Sequence, residues 1–404
     1  MKGSINTCNL YVFILVLWML SNNFSLFPSI VTQGILGVFL LFSIYYAIYA
    51  NLKYKLPVYY KALNVLLIMF TIYGIIMLIN GERYYIGSTP VSKTYYLVII
   101  YVSLLPIYAS YVFARKGLLI EKNMKFIVFV FLILTVILFF RNQAKLLQMA
   151  SESGSSAVEF TNNVGYAFVG LLPALVLFYK KPILQYLLMA FCVYFIILGM
   201  KRGAILAGGI CLLWFIIVNL KESTKQQKQV IFLISVLVIV FGVYFFRYMM
   251  ENSLYFMDRV AQTKHGNSSG RDVIYSTIFD QILNENKPFR FLFGYGADAT
   301  LMFRRNYAHN DWLEIAVNQG LLGVFIYLVY WIYFFVSWSN TKHHSQAYMA
   351  IGMILIVYFL LTFFSMSYNS VSRCAAFVLG YYLAVASTER QHSNQNDSLV
   401  KKEK

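Results

Sequence analysis

From residue 3 to residue 52 the chain carries no charged side chain, and uncharged apolar runs of this kind recur to its far end. Ser21-Asn22-Asn23 through Pro28-Ser29 supplies the turn that divides the first run into two helices. Further runs lie at residues 62–81, 94–114, 126–140, 160–179, 182–200, 203–220 and 229–246, and then at 315–341, 345–372 and 374–388. A helix crosses a bilayer with about 20 apolar residues, so the pattern predicts about twelve spans, of which 126–140 and 374–388 are short. Barrel strands would instead show alternating segments of about ten residues. Unbroken runs satisfy their backbone hydrogen bonds in lipid only as helices. The chain therefore reads as an all-α integral membrane protein.

Composition agrees, with 60% hydrophobic and 12% charged residues. A chain so poor in polar residues cannot form the shell of a water-soluble globule. The net charge of +17 is spread thinly over many short connections and forms no basic stripe, so nucleic acid is not a partner. Its distribution instead reports topology, because inner-side loops carry the excess of Lys and Arg. With the N-terminus inside, 18 such residues fall in inner connections, from Lys2, Lys53 and Lys55 to Lys402 and Lys404. Seven fall outside apart from the long interval: Arg83, Lys93, Arg141, Lys145, Lys201, Arg202 and Arg373. Residues 247–318 then face outward and both termini face inward. The first run lacks a small-residue cleavage pattern and reads as a retained span. Cys8, Cys192, Cys211 and Cys374 lie in or beside apolar runs without CxxC pairing, and read as packing residues.

The organisation that follows is nine spans in 1–249, an outer loop with short amphipathic helices in 250–319, three spans in 320–388 and a disordered inner tail in 389–404. Within the outer loop, His265 to Gly270 is a flexible turn, and Arg271 opens a segment with Val273, Ile274, Ile278 and Ile282 at near-helical spacing. Gly294-Tyr295-Gly296 breaks the chain. Residues 311–318 form a helix ended by Gly320, with Asn310 or Asp311 as N-cap. His309 stands just ahead of that helix, near the membrane surface.

Arg202, Arg271 and His309 stand out, and singly each has an ordinary explanation. Lys201 and Arg202 end a span, where long cations snorkel to headgroups. Arg271 beside Asp272 is an everyday loop charge. A lone His such as His309 is more often packed than reactive. Glu314 and Asp311 could orient the imidazole, although Glu314 also reads as a solvated charge; Tyr295, Tyr307 and Trp312 flank the segment and could stack on a ligand ring. No close carboxylate pair with ligand-like spacing suggests a metal.

Taken together, these features resemble the O-antigen ligase and O-antigen polymerase superfamily of bacterial polyspan enzymes. The resemblance covers most of residues 160–335: Lys201-Arg202-Gly203-Ala204 at the outer end of a middle span, Gly270-Arg271 opening a loop helix, Gly294-Tyr295-Gly296, then His309-Asn310 leading to Gly320-Leu321-Leu322-Gly323. It departs from the family where Lys201 stands in place of the usual Ser or Thr. The resemblance implies a GT-C-like fold in a bacterial inner membrane, with the site on the periplasmic face. It implies that Arg202 and Arg271, with Lys201 sharing the load, hold a lipid-linked diphosphate and that His309 acts on the acceptor; Asn310, Glu314, Tyr295 and Trp312 are secondary candidates. It further implies an undecaprenyl-diphosphate-linked oligosaccharide as substrate, membrane lipids and a chain-length regulator as partners, and no cofactor.

The chemistry suits those residue types. The donor's anomeric carbon is already activated, so the enzyme must steady a departing diphosphate, for which a fixed guanidinium outdoes a general acid. A neutral His can take the acceptor's proton, typically worth 10²- to 10⁴-fold. Polymerase and ligase differ only in acceptor, the next lipid-linked repeat or lipid A core, and the expectation is polymerase. A flippase for lipid-linked sugars is the reading of another class. Transporters tend to place charges inside spans and to pair interrupted helices, whereas these spans are nearly free of charge.

Overall fold

The computed structural model describes residues 7–81, 84–92, 94–153, 162–222, 225–253, 256–257, 260–261, 271–343, 345–363, 365 and 373–400. The chain is helical almost throughout: α1 (Thr7–Phe24), α2 (Ser29–Lys53), α3 (Val58–Asn80), α4 (Tyr95–Leu104), α5 (Pro106–Arg115), α6 (Glu121–Ser153), α7 (Gly165–Leu171, continued as a 3-10 helix over Leu172–Phe178), α8 (Pro182–Leu198), α9 (Arg202–Glu222) and α10 (Lys225–Asn252). The interval between α10 and α14 then contributes α11 (Arg271–Leu283), α12 (Pro288–Phe293) and α13 (Thr300–Arg304), and the chain closes with α14 (Asp311–Ser339), α15 (Gln346–Leu361) and α16 (Arg373–Val400).

Eight described helical stretches are long and apolar enough to cross a bilayer, α4 and α5 counting together as Tyr95–Arg115. Three shorter apolar helices accompany them, Gly165–Phe178, Pro182–Leu198 and Gln346–Leu361. The short run at 126–140 is the centre of the 33-residue helix α6, because the polar residues on either side also favour helix. A two-stranded antiparallel hairpin, β1 (Tyr85–Ile86) with β2 (Thr89–Pro90), was not anticipated. It is tied to the outer loop by the Gly87 N–H, which donates to the Arg305 carbonyl at 2.9 Å. The polar segment from residue 389, read as a disordered tail, continues α16 as far as Val400. Its first turn is held where Arg115 donates to Thr388 Oγ1 at 3.0 Å and Gln391 Oε1 at 2.9 Å.

Burial is inverted relative to a soluble globule. Ile30, Leu52, Ile79 and Phe126 are exposed on the outer faces of the bundle, where lipid would meet them. Between helices that lipid solvates as well as a neighbour does, cohesion comes from close packing and interhelical hydrogen bonds. The interior accordingly pairs its hydroxyls: Tyr11 with Ser43 at 2.8 Å, Tyr59 with Tyr330 at 3.1 Å, and Tyr108 to Asn64 Oδ1 at 2.5 Å. α16 lies along α5 and α15, α14 along α3, and α9 along α15. α11 and α12 dock on the first turns of α14, which carries the outer-loop helices to the end of the bundle where α14 begins.

Candidate functional site

α14 starts where it does because Asn310 is an effective cap. In extended conformation, its Oδ1 accepts the N–H groups of Trp312 and Leu313 at 3.0 and 3.2 Å, two of the donors a helix start leaves without intrahelical partners. The same turn is fastened to the end of α15. Asn310 Nδ2 donates to the Phe363 carbonyl at 3.1 Å, the Asp311 N–H to the Thr362 carbonyl at 2.8 Å, and Trp312 Nε1 to Thr362 Oγ1 at 2.9 Å.

His309, just before the cap, has φ +53°, a left-handed conformation that a non-glycine residue holds only where its surroundings impose it. Glu314 anchors the residue just before His309. It is not the solvated charge of the sequence reading but wholly buried, because α13 and the 306–308 segment fold over it. Its carboxyl accepts the Thr300 hydroxyl at 2.6 Å and the Ala308 N–H. Asp311, also buried, accepts the Tyr327 hydroxyl at 2.6 Å.

The two glycine motifs meet each other. Gly294 (φ +75°) and Gly320 (φ +68°) approach so closely that a Cβ on Gly320 would lie 2.5 Å from Gly294 N and Leu292 O. The Tyr295 and Gly296 N–H groups donate to the Val317 and Asn318 carbonyls at 2.8 and 3.0 Å. Gly320 adopts φ +68°, ψ −164°, a region open essentially to glycine alone, and so breaks α14 after its third turn. Behind this junction Ile278 of α11 packs with Ala299, Ala308, Leu313 and Val317, fixing the helix that Arg271 opens.

A cavity of about 620 Å³ opens beside His309. Lys201, Arg271, His309 and Arg373 line it together with Tyr95, Tyr166, Tyr307, Ser103, Thr135 and Ser365, and among the described lining residues none is Asp or Glu. Arg271 and Lys201 stand near enough to His309 to act on it: burial first, then these two cations, push its pKa down to about 4. The imidazole is therefore neutral at neutral pH. Tyr307 hydrogen-bonds Asp298, a buried carboxyl that burial raises to about 7 against that bond.

Residues far apart in sequence, Lys201, Arg271 and His309, thus share one cavity, and Tyr307 joins them. Arg202 opens α9 and is not among the lining residues; at the corner made by Met200 (φ +53°) it is Lys201 that faces the space. Asn310 and Glu314 shape the loop, and neither lines the cavity. Tyr295 is turned toward Gln281, Glu285 and the Arg290 guanidinium, 5.2 Å from its ring. Trp312 packs on Tyr327 and Phe363. Arg373 was read from sequence only as a loop charge; its standing among the few exceptions to the expected Lys and Arg bias was the available signal. Among the described residues no group of three His, Cys, Asp or Glu is gathered as a metal site. The turn at 265–270 lies outside the described residues, as do residues 366–372.

Residues 187–328 match the family model described as O-antigen ligase. The matched stretch runs from α8 to the middle of α14 and contains Lys201, Arg202, Arg271 and His309. That stretch is about a third of the chain, and over it the protein is similar to the O-antigen ligase family. Comparison with curated proteins returns no match.

Proposed function

We propose that the protein is a surface-polysaccharide polymerase of the bacterial inner membrane, which moves a glycan from undecaprenyl diphosphate onto the non-reducing sugar of a lipid-linked repeat at the periplasmic face. The observation that carries this reading is the shared cavity lined by Lys201, Arg271 and His309, with no carboxylate among its described lining residues. Fixed cations in a partly dehydrated cavity stabilise a departing diphosphate better than they would in water.

In the proposed reaction the acceptor oxygen bonds to the anomeric carbon as the bond from that carbon to the diphosphate oxygen breaks, its electron pair leaving with the lipid diphosphate. Arg271 and Lys201 hold the charge that develops there. The acceptor proton passes to His309, whose neutral form prevails at neutral pH, and is then released to water. The anionic diphosphate offsets the two cations beside His309, so binding of the donor raises the basicity that those cations suppress. With no carboxylate among the described lining residues to act as nucleophile, one displacement inverts the anomeric centre. The reaction needs no metal. The proposed arrangement has about twelve spans, both termini cytoplasmic and a chain-length regulator as partner.

Purified protein with a lipid-diphosphate repeat unit, analysed on a gel, tests this. A ladder without lipid A core supports polymerisation, and product only when core is supplied assigns ligation instead. His309→Ala and Arg271→Ala should abolish product while inserting normally; wild-type turnover in the His309 variant removes it from the mechanism.

A further inference from the structure

We propose that Arg373 is a further substrate-binding residue, which grips phosphate oxygens of the lipid diphosphate from the α16 side of the cavity. This rests on the function proposed above and extends it to a helix that the sequence reading left out. Arg373 lines the same cavity as Lys201, Arg271 and His309.

Two features of the described fold disfavour a cation there. As the first residue of α16 it sits at the positive end of the helix dipole, and the charge bias of the loops disfavours Arg on the outer side. Its Nε is buried and has no hydrogen-bond partner among the described residues, a cost that proteins ordinarily avoid. What positions it is Trp18 of α1, whose ring centroid lies 5.2 Å from the guanidinium carbon, an arrangement that holds the plane of the group while leaving its edge available. A guanidinium kept at such a cost, in a cavity whose described lining has no carboxylate, suits an anionic ligand able to accept a fork of N–H donors. Phosphate oxygens meet that description, and both a lipid diphosphate and a phospholipid headgroup could present them.

The test uses the full-length protein in detergent, with thermal unfolding followed alone and with undecaprenyl diphosphate, undecaprenol or phosphatidylglycerol. Wild type should be stabilised by undecaprenyl diphosphate and by neither of the others. Arg373→Met should melt no lower than wild type when unliganded, since it removes a stranded buried donor, yet bind undecaprenyl diphosphate at least about tenfold more weakly, the loss expected for one charge-assisted hydrogen bond. Arg373→Lys, which keeps the charge but not the fork, should fall between. If Arg373→Met melts lower and binds as wild type does, Arg373 is a structural residue and the proposal fails, while loss of binding in Arg271→Ala would leave the proposed site intact. If phosphatidylglycerol stabilises wild type as well and that effect is lost in Arg373→Met, the residue serves the bilayer and the proposal fails. Absence of any shift in wild type overturns this proposal and the proposed site together.

Discussion

Replacing Glu314 with Ala tests whether the loop that presents His309 is held from beneath. Glu314 is fully buried and accepts the Thr300 hydroxyl at 2.6 Å and the Ala308 N–H, and both donor residues are themselves at most 1% exposed. Alanine leaves two buried donors without partners at about 1–3 kcal/mol each, or about 2–6 kcal/mol together. Water entering the vacated space relieves part of this, so about 2–4 kcal/mol is the expected loss, a large share of a domain's net stability. Glutamine should behave differently. Its carbonyl can still accept the Ala308 N–H, and the Thr300 hydroxyl can rotate to accept from the amide, leaving a cost of about 1 kcal/mol or less. Because Ala308 directly precedes His309 and its left-handed backbone, loss of the anchor should also displace the imidazole; a shift of about 1 Å costs on the order of 10²-fold in rate. The assay is thermal unfolding in detergent, paired with turnover of a lipid-diphosphate repeat. An Ala variant that melts and turns over as wild type does, or a Gln variant as damaged as the Ala variant, refutes the reasoning.

Gly320→Ala should cost about 1–3 kcal/mol from backbone conformation alone, and more from the clash of its Cβ with Leu292 O and Gly294 N; proteolysis within the outer loop, faster than in wild type, would report the separation of α12 from α14. The His309 pKa of about 4 predicts that kcat/KM stays level at neutral pH and falls only as pH drops through about 4, whereas the corresponding limb of kcat lies higher because bound diphosphate offsets Arg271 and Lys201; coincident limbs would contradict that coupling. The same lowered value makes folding stability fall as pH drops from about 6.5 toward about 4, where unfolded His binds a proton that the folded state refuses, and His309→Gln should flatten that part of the melting curve. Lys201→Ala should reduce kcat/KM more than Arg202→Ala does, since Lys201 lines the cavity; the reverse ranking would place the diphosphate elsewhere.

Periodicity made the helical, membrane-spanning character legible, because the length of an apolar run is set by the bilayer rather than by tertiary detail. The outer-loop elements were legible for local reasons: Asn310 caps, Gly320 takes a backbone conformation other residues avoid, and Ile274, Ile278 and Ile282 form one face of α11. What escaped was set by distant contacts. Nothing near Glu314 in sequence reveals that α13 covers it, and nothing near Tyr295 or Trp312 reveals that Glu285 or Thr362 engages its polar atom. The choice of Lys201 over Arg202 at the cavity depends on one residue of rotation at the Met200 corner. Arg373 lies 172 positions beyond Lys201 by numbering, and only packing of α16 among the other helices brings the two to one space.

The most direct measurement is an experimental map of the protein in lipid nanodiscs with undecaprenyl diphosphate bound. The account predicts diphosphate density inside the cavity, within hydrogen-bonding distance of Arg271 and Lys201, with the His309 imidazole facing the position of the scissile bond. Diphosphate density outside that cavity, with those side chains unengaged, would contradict it.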